Sequence, residues 1–395
     1  MSLPRLLYVG DVPVEPTIAG AAVLYRLFDG YPPDRLVICQ SDLAAVRSPA
    51  RRLPGVEYHE FPVGRTRLLH SRVSGYYRAF LLARSGSRST ALAARLADVP
   101  EAVVTIAHGF SWLTAASLAR GYRVPLHLIV HDDCLATLNI AAPLRSSAEA
   151  RFERVYRTAA SRFCISPAMR DYYFRRYGVM GEVLYPSKAR DAREWTSPPS
   201  RVSTQDAPLT VAFAGSLNVG HIPAVAALAQ ALEALGGRLE IYGPDPAPDV
   251  RSRLTQAVVS FQPYLPSNEL AEQLRERADL LWMPMSFDAA DAVNMALCFP
   301  SKLADYTAIG VPILITGPTE CSAVRWATEN PGVAEVVTGS STGQLFGVLK
   351  KLAGDAALRR RLAAEALRVG PMFFGHQQAQ DRFVAAIKLA AANQA

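Results

Sequence analysis

The chain has 395 residues, 50% apolar and 19% charged, a balance that excludes a disordered or fibrous protein and leaves room for two cores at about 100–200 residues per domain. The formal net charge of +7 sits in the first half: residues 1–200 hold 26 Lys and Arg against 17 Asp and Glu, and residues 201–395 hold 16 against 18. No run approaches the ~18 apolar residues of a spanning helix, and Leu6-Leu7-Tyr8-Val9 is too short for a secretory leader, so a soluble cytoplasmic protein is expected.

Apolar runs of strand length alternate with segments of helical period nearly from end to end, the pattern of parallel sheets covered by helices on both faces. In the first half strands are predicted at 5–10, 36–39, 56–61, 102–107, 125–131, 162–166 and 183–185. The polar stretch 187–208, with Pro198, Pro199 and Pro208 and no periodicity, reads as a linker after a first domain of residues 1–186. Alternation then restarts with strands at 210–215, 238–243, 258–264, 279–285, 311–317 and 333–337 and helices at 222–235 and 267–278, giving a second α/β domain over 209–374. The tail, 375–395, is one more amphipathic helix with Phe383, Ile387 and Ala391 on one face. The five cysteines, Cys39, Cys134, Cys164, Cys298 and Cys321, form no C-x-x-C pair and read as reduced residues, mostly of the core.

Ligands of open α/β sheets bind beyond the strand C-termini, where helix N-termini aim backbone N–H groups. The loop 11–22 places Gly20 where a helix begins, either to let a phosphate or sugar approach or simply to start that helix. The segment F-P-S-K-L-A-D-Y-T-A-I-G-V-P-I, residues 299–313, is sharper. Pro300 suits a first helical turn, Ser301 and Lys302 sit at its dipole-positive end, and Gly310 with Pro312 ends the helix. Asp305 is one turn beyond Ser301, in reach of a ribose if a diphosphate sits at the terminus; a capped helix with a solvated lysine is the plain alternative. Lys302 is one of only five lysines among 42 basic residues, which favours the pocket.

His131-Asp132-Asp133 follows a strand and suits sugar hydroxyls or acceptor orientation, since neutral imidazole both donates and accepts; a divalent cation, or Asp132 capping the next helix, are the alternatives. His108-Gly109 is a weaker twin. Asp288 and Asp291 lie in the loop before the P-S-K helix. Residues 61–97 carry Arg65, Arg67, Arg72, Arg78, Arg84, Arg88 and Arg95 and no acid, mixed with Leu68, Leu69, Tyr76, Tyr77 and Phe80. A helix of this composition lies on an anionic leaflet, binds a lipid diphosphate acceptor, or is an arginine-rich solvated face. No base-reading module points to nucleic acid.

The P-S-K-L-A-D-Y-T-A-I-G-V-P segment resembles the nucleotide-sugar signature of the glycosyltransferases of family 4. Gly20, His131-Asp132, C-I-S-P-A-M-R-D-Y-Y (164–173), A-F-A-G-S-L and the tail helix match their landmarks in order over most of the chain. The resemblance implies the GT-B fold: two facing Rossmann-like domains with parallel sheets, an N-terminal acceptor domain and a C-terminal nucleotide-sugar domain, with the tail helix returning to the first. It implies retaining, metal-independent sugar transfer from a UDP- or GDP-linked donor to a glycan or lipid-linked acceptor in polysaccharide or glycoconjugate assembly, with no cofactor; contact with an anionic membrane is expected only through the basic segment 61–97. By position, Ser301, Lys302 and Leu303 would hold the diphosphate, Asp305 the ribose, and Gly20 would pack on the phosphate. Ser216 and His221 would join them, and Pro263 and Tyr264 would border the base. Lys302, His131 and Asp132 would serve catalysis, and His108, Arg72 and Arg78 the acceptor. Two departures stand out: Leu297 occupies the place of a glutamate common in the family, and the loop 215–221 lacks its usual arginine and lysine. A sugar-nucleotide epimerase on the same fold and a non-catalytic nucleotide-sugar binder are the rival readings.

Overall fold

A computed structural model of the chain describes residues 3–17, 19–43, 46, 48–203 and 208–392. It divides into two compact units, one made of Met1–Pro186, Leu297–Phe299 and His376–Ala395, the other of Ser187–Ala296 and Pro300–Gly375.

The first unit is built on β1 (Leu6–Gly10), β2 (Leu36–Ser41), β3 (Glu57–Phe61), β4 (Ala102–Ile106), β5 (Leu126–Val130), β6 (Ser161–Cys164) and β7 (Glu182–Val183). These form one sheet in the order β3-β2-β1-β4-β5-β6-β7, parallel throughout, with Leu6 opposite both Leu36 and Ala102. Strands β1, β4 and β5 are buried at every position because helices cover both faces, and this is why they read as unbroken apolar runs. His127 is an exception inside β5. It is fully buried with its Nδ1 2.7 Å from Ser161 Oγ, and burial pulls its pKa down to about 4.

The tail helix His376–Ala392 belongs to this unit. Phe383 and Ile387 are fully buried in the core with Leu6, Tyr8 and Ile106, and the Phe383 ring lies 5.8 Å from Phe28 and 5.7 Å from Phe163. The side chain of Ala391, expected on the same face, lies outside the described residues.

The second unit repeats the plan with β8 (Thr210–Ala214), β9 (Arg238–Tyr242), β10 (Val259–Gln262), β11 (Leu280–Pro284), β12 (Ile313–Thr316) and β13 (Glu335–Val337). The order β10-β9-β8-β11-β12-β13 is again parallel throughout. Both sheets therefore follow the 3-2-1-4-5-6 order of Rossmann folds, in which the strand order reverses between the first and fourth strands and a crevice opens at that point.

Two expectations need correction. The expected linker 187–208 is packed onto the second unit over residues 187–203: Val202 is fully buried, Arg359 Nε donates to its carbonyl at 3.1 Å, and Arg201 pairs with Asp279 at 3.0 Å. The guanidinium of Arg275 covers the ring of Trp195 at 4.6 Å. Residues 204–207 of the stretch lie outside the described residues. The basic segment 61–97 is not one amphipathic helix but three short ones, Thr66–Leu69, Ser74–Ala83 and Ser85–Ala93. Leu81, Leu82, Leu92 and even Arg88 are buried, so arginine and leucine positions do not sort onto two clean faces.

Candidate functional site

In the second unit, the crevice lies beyond β8 and β11. The P-S-K segment forms the helix Lys302–Ile309, two residues later than the first turn expected at Pro300. Ser301 takes the N-cap position without a side-chain capping bond, and Pro300 stands ahead of it. Tyr306 ties this helix to the sheet, its hydroxyl accepting from the Ala214 N–H at 2.8 Å. The side chain of Lys302 then runs along Gly215, at the end of β8. Gly215 has φ +149, and a Cβ there would lie 2.3 Å from Lys302 Cε and 2.9 Å from Nζ. Only a glycine makes room for the lysine.

The Lys302 ammonium sits 5.3 Å from the centroid of Phe213, within cation–π range. Burial lowers its pKa, and Asp305 on the same helix partly offsets the shift. Burial also lowers the pKa of His221, with the Lys302 charge adding to it. The His221 ring is 6.0 Å from Phe213 and its Nδ1 lies 2.9 Å from Asn218 Oδ1, closing a capping box. The ammonium is therefore held in a partly dry place with the Asp305 charge as its neighbour.

Of the other expected donor residues, Ser216 is exposed in this loop. Leu303 is fully buried, and its N–H already donates to the Pro300 carbonyl at 3.2 Å. Pro263 and exposed Tyr264 follow β10 at the sheet edge.

In the first unit, the crevice beyond β1 and β4 brings together His108, His131 and Asp132. His131 Nε2 is 3.1 Å from Asp132 Oδ2 and 3.5 Å from His108 Nδ1, and His108 Nδ1 is 3.7 Å from the same Asp132 oxygen. Burial alone would raise the Asp132 carboxyl, but hydrogen bonds from both histidines hold it well below the usual carboxylate range. Its other oxygen, Oδ1, accepts from Cys298 Sγ at 3.3 Å. Gly20 lies against the His131 ring, since a Cβ there would be 3.2 Å from Cε1; its closeness serves the imidazole. Asp133, rather than Asp132, caps the following helix.

Asp11, which the sequence did not single out, fixes this loop. Its carboxylate accepts from the N–H of Phe110, from the N–H of Ser111 at 2.7 Å and from Ser111 Oγ at 2.6 Å. An acid directly after the first strand, at the reversal point, was the available signal.

Arg78 is not a free cation: its terminal nitrogens donate to the carbonyls of Leu138 at 3.0 Å and Leu69 at 3.3 Å. Arg72 is exposed. Beside them lies a cavity of about 620 Å³ lined by Arg65, Arg84, Arg88 and Arg95 with Tyr77 and Phe80 among its apolar walls, and by no acid. Val73, Tyr76 and Phe80 are each at least half exposed and share one helical face. Leu297 is buried and its carbonyl accepts from Ser166 Oγ at 2.5 Å. Asp288 caps a short 3-10 turn containing Asp291, and both are exposed. Among the described residues no helix is long and apolar enough to cross a membrane.

No protein-family model matches the chain, and no curated protein matches it in sequence. Solved structures do. HepE of Anabaena, in complex with UDP and glucose, superposes with a TM-score of 0.67 at 14% identity over 98% of this chain and 99% of that one. Sucrose-phosphate synthase of Thermosynechococcus elongatus gives 0.66 at 12% identity over 98% and 100%. The UDP-forming α,α-trehalose-phosphate synthase of Burkholderia vietnamiensis gives 0.64 at 14% over 100% and 98%. With two Rossmann-ordered units in one chain and these likenesses along its whole length, the protein has the GT-B fold.

Proposed function

We propose that the chain is a glycosyltransferase of the family 4 type. It moves a hexose from a nucleoside-diphosphate sugar to a hydroxyl acceptor, with retention of configuration and without a metal ion. The observation that carries this is Lys302, seated over Gly215 at the head of the P-S-K helix. When the glycosidic bond to the diphosphate breaks, negative charge grows on the leaving oxygens. An ammonium already fixed and partly desolvated stabilises that charge without reorganising. Asp305, one turn on, takes the ribose, and His131 with Asp132 serves the transferred sugar. UDP-linked donors are the first to try, since HepE structures are complexes with UDP and with UDP-glucose.

The acidic-residue-free cavity with its four arginines, and the exposed Val73, Tyr76 and Phe80 beside it, support a lipid-linked anionic acceptor and contact with an anionic leaflet. A thermal-shift panel of UDP, GDP, ADP, CMP and their sugars tests the donor site, because a ligand that binds only the folded state raises its stability. Stabilisation by one nucleoside diphosphate, lost in Lys302→Ala, is expected. No shift with any of them refutes the proposal.

A second reading, a non-catalytic nucleotide-sugar binder, is favoured by the buried Leu297 in place of the family's glutamate and by the absence of a basic pair in 215–221. Donor hydrolysis or transfer by the purified protein separates the two.

A further inference from the structure

The cluster in the first unit is more than a hydrogen-bonded trio. We infer that His108 Nδ1, His131 Nε2 and Asp132 Oδ2 form a three-ligand site for a tetrahedral divalent transition-metal ion of the Zn²⁺ class. The three atoms are mutually 3.1, 3.5 and 3.7 Å apart. Zinc bonds of about 2.0–2.2 Å at tetrahedral angles put neighbouring ligand atoms about 3.3–3.5 Å apart, whereas right-angled octahedral coordination at the same bond length needs about 3.0 Å. The observed edges average about 3.4 Å, closer to the tetrahedral spacing than to the octahedral one. As a hydrogen bond only the 3.1 Å edge lies within the usual ~2.7–3.2 Å; the other two are long, and one ion satisfies all three edges at once.

The surroundings are those of a prepared site. Asp132 Oδ1 is held by Cys298 at 3.3 Å, which turns Oδ2 toward the two imidazoles, as outer hydrogen bonds orient ligating carboxylates. The loop bearing His108 is pinned by three hydrogen bonds to Asp11, and Gly20 backs the His131 ring. His108 and Asp132 are 39% and 31% exposed, so a fourth position opens to water. The site stands whether or not the chain transfers sugars. On the transfer reading above, from which this consequence follows, the ion is an inhibitor, because it occupies the imidazole meant for the sugar.

Metal binding is measured directly, with no donor present. The protein is titrated with Co²⁺, followed by its visible absorption, and with Zn²⁺ by calorimetry, in wild type, His108→Ala, Asp132→Asn, His131→Ala and the exposed-site control His70→Ala. One Co²⁺ per chain with the intense bands of tetrahedral coordination, displaced by Zn²⁺, is expected. Affinity should fall by more than about 100-fold in each ligand variant, since outer partners alone cost 10–100-fold, and stay unchanged in His70→Ala. His108 is on the surface, so its variant keeps the test decisive even if His131→Ala misfolds. Weak octahedral Co²⁺ bands, or Zn²⁺ affinity indifferent to His108→Ala and Asp132→Asn, overturn the site.

Discussion

Replacing Gly215 with alanine separates the place of Lys302 from its charge. The new Cβ would stand 2.3 Å from Lys302 Cε, 2.9 Å from Nζ and 3.4 Å from Phe213 Cζ. Ordinary carbon contacts are about 3.5–4.0 Å, so the lysine must retreat by more than about 1 Å. Because its far end is flexible, that retreat costs little stability; the backbone at φ +149 adds about 1–3 kcal/mol of strain. The functional loss should be larger, since displacement of a charge by about 1 Å can lower turnover about 10²-fold. Gly354→Ala, where a Cβ meets nothing within 4 Å, is the control. The assay pairs thermal melts with and without UDP with donor turnover. A folded Gly215→Ala protein that melts a few degrees lower, binds UDP weakly and turns over poorly is expected. If Gly215→Ala keeps wild-type nucleotide affinity and turnover while Lys302→Ala loses both, the packing of lysine over glycine is not what positions the charge.

Lys302→Ala should depress kcat by roughly 10²–10³, the scale of a lost electrostatic stabiliser, while Asp305→Ala should chiefly raise the donor KM; identical effects would place the helix outside the site. Because burial lowers the Lys302 pKa and the charged form is the useful one, activity should hold on the acid side and fall as pH rises through a value below the ordinary ~10.4; a limb at or above that value speaks against a buried ammonium. Turnover should survive EDTA, and its loss with recovery on Mg²⁺ or Mn²⁺ would sink the metal-free chemistry. The protein should sediment with anionic liposomes and release as salt rises, since attraction is screened beyond ~8 Å at physiological ionic strength. Phe80→Ser with Arg84→Ala should weaken this, and equal binding to neutral vesicles would refute it. His127 has an unfolded pKa of ~6.5 and a folded one of about 4, so its contribution is complete above the first value and is lost as pH falls toward the second. That loss is about 3 kcal/mol, and His127→Asn should flatten the urea midpoint over this window.

The strands were legible because a strand covered on both faces is filled mainly by apolar side chains. The run 125–131 contains β5 at Leu126–Val130, and 279–285 contains β11 at Leu280–Pro284. The helix head was legible to two residues: Ser301 takes the N-cap position, with φ −59 and ψ −25 and no side-chain cap, and this leaves Pro300 outside. Partner choice was not legible. Charge counting made Arg88 a surface cation, whereas it is buried and donates to Thr114 Oγ1 and the carbonyls of Leu81 and Phe110. Asp11 reaches Ser111 across 100 residues, and composition carries no trace of such a link. Residues 187–203 looked like a tether because prolines mask packing; Val202 and Arg201 join it to the second unit.

The two units share a strand order and use its reversal point in opposite ways. In the first, the residue after β1 is an acid, Asp11, whose carboxylate is consumed by the loop after β4; what remains available there are the imidazoles and the single carboxylate of Asp132. In the second, the residue after β8 is Gly215, which contributes no side chain, and the space it leaves is filled by Lys302 at the head of the helix Lys302–Ile309. One crevice is therefore furnished to offer lone pairs and the other to receive negative charge.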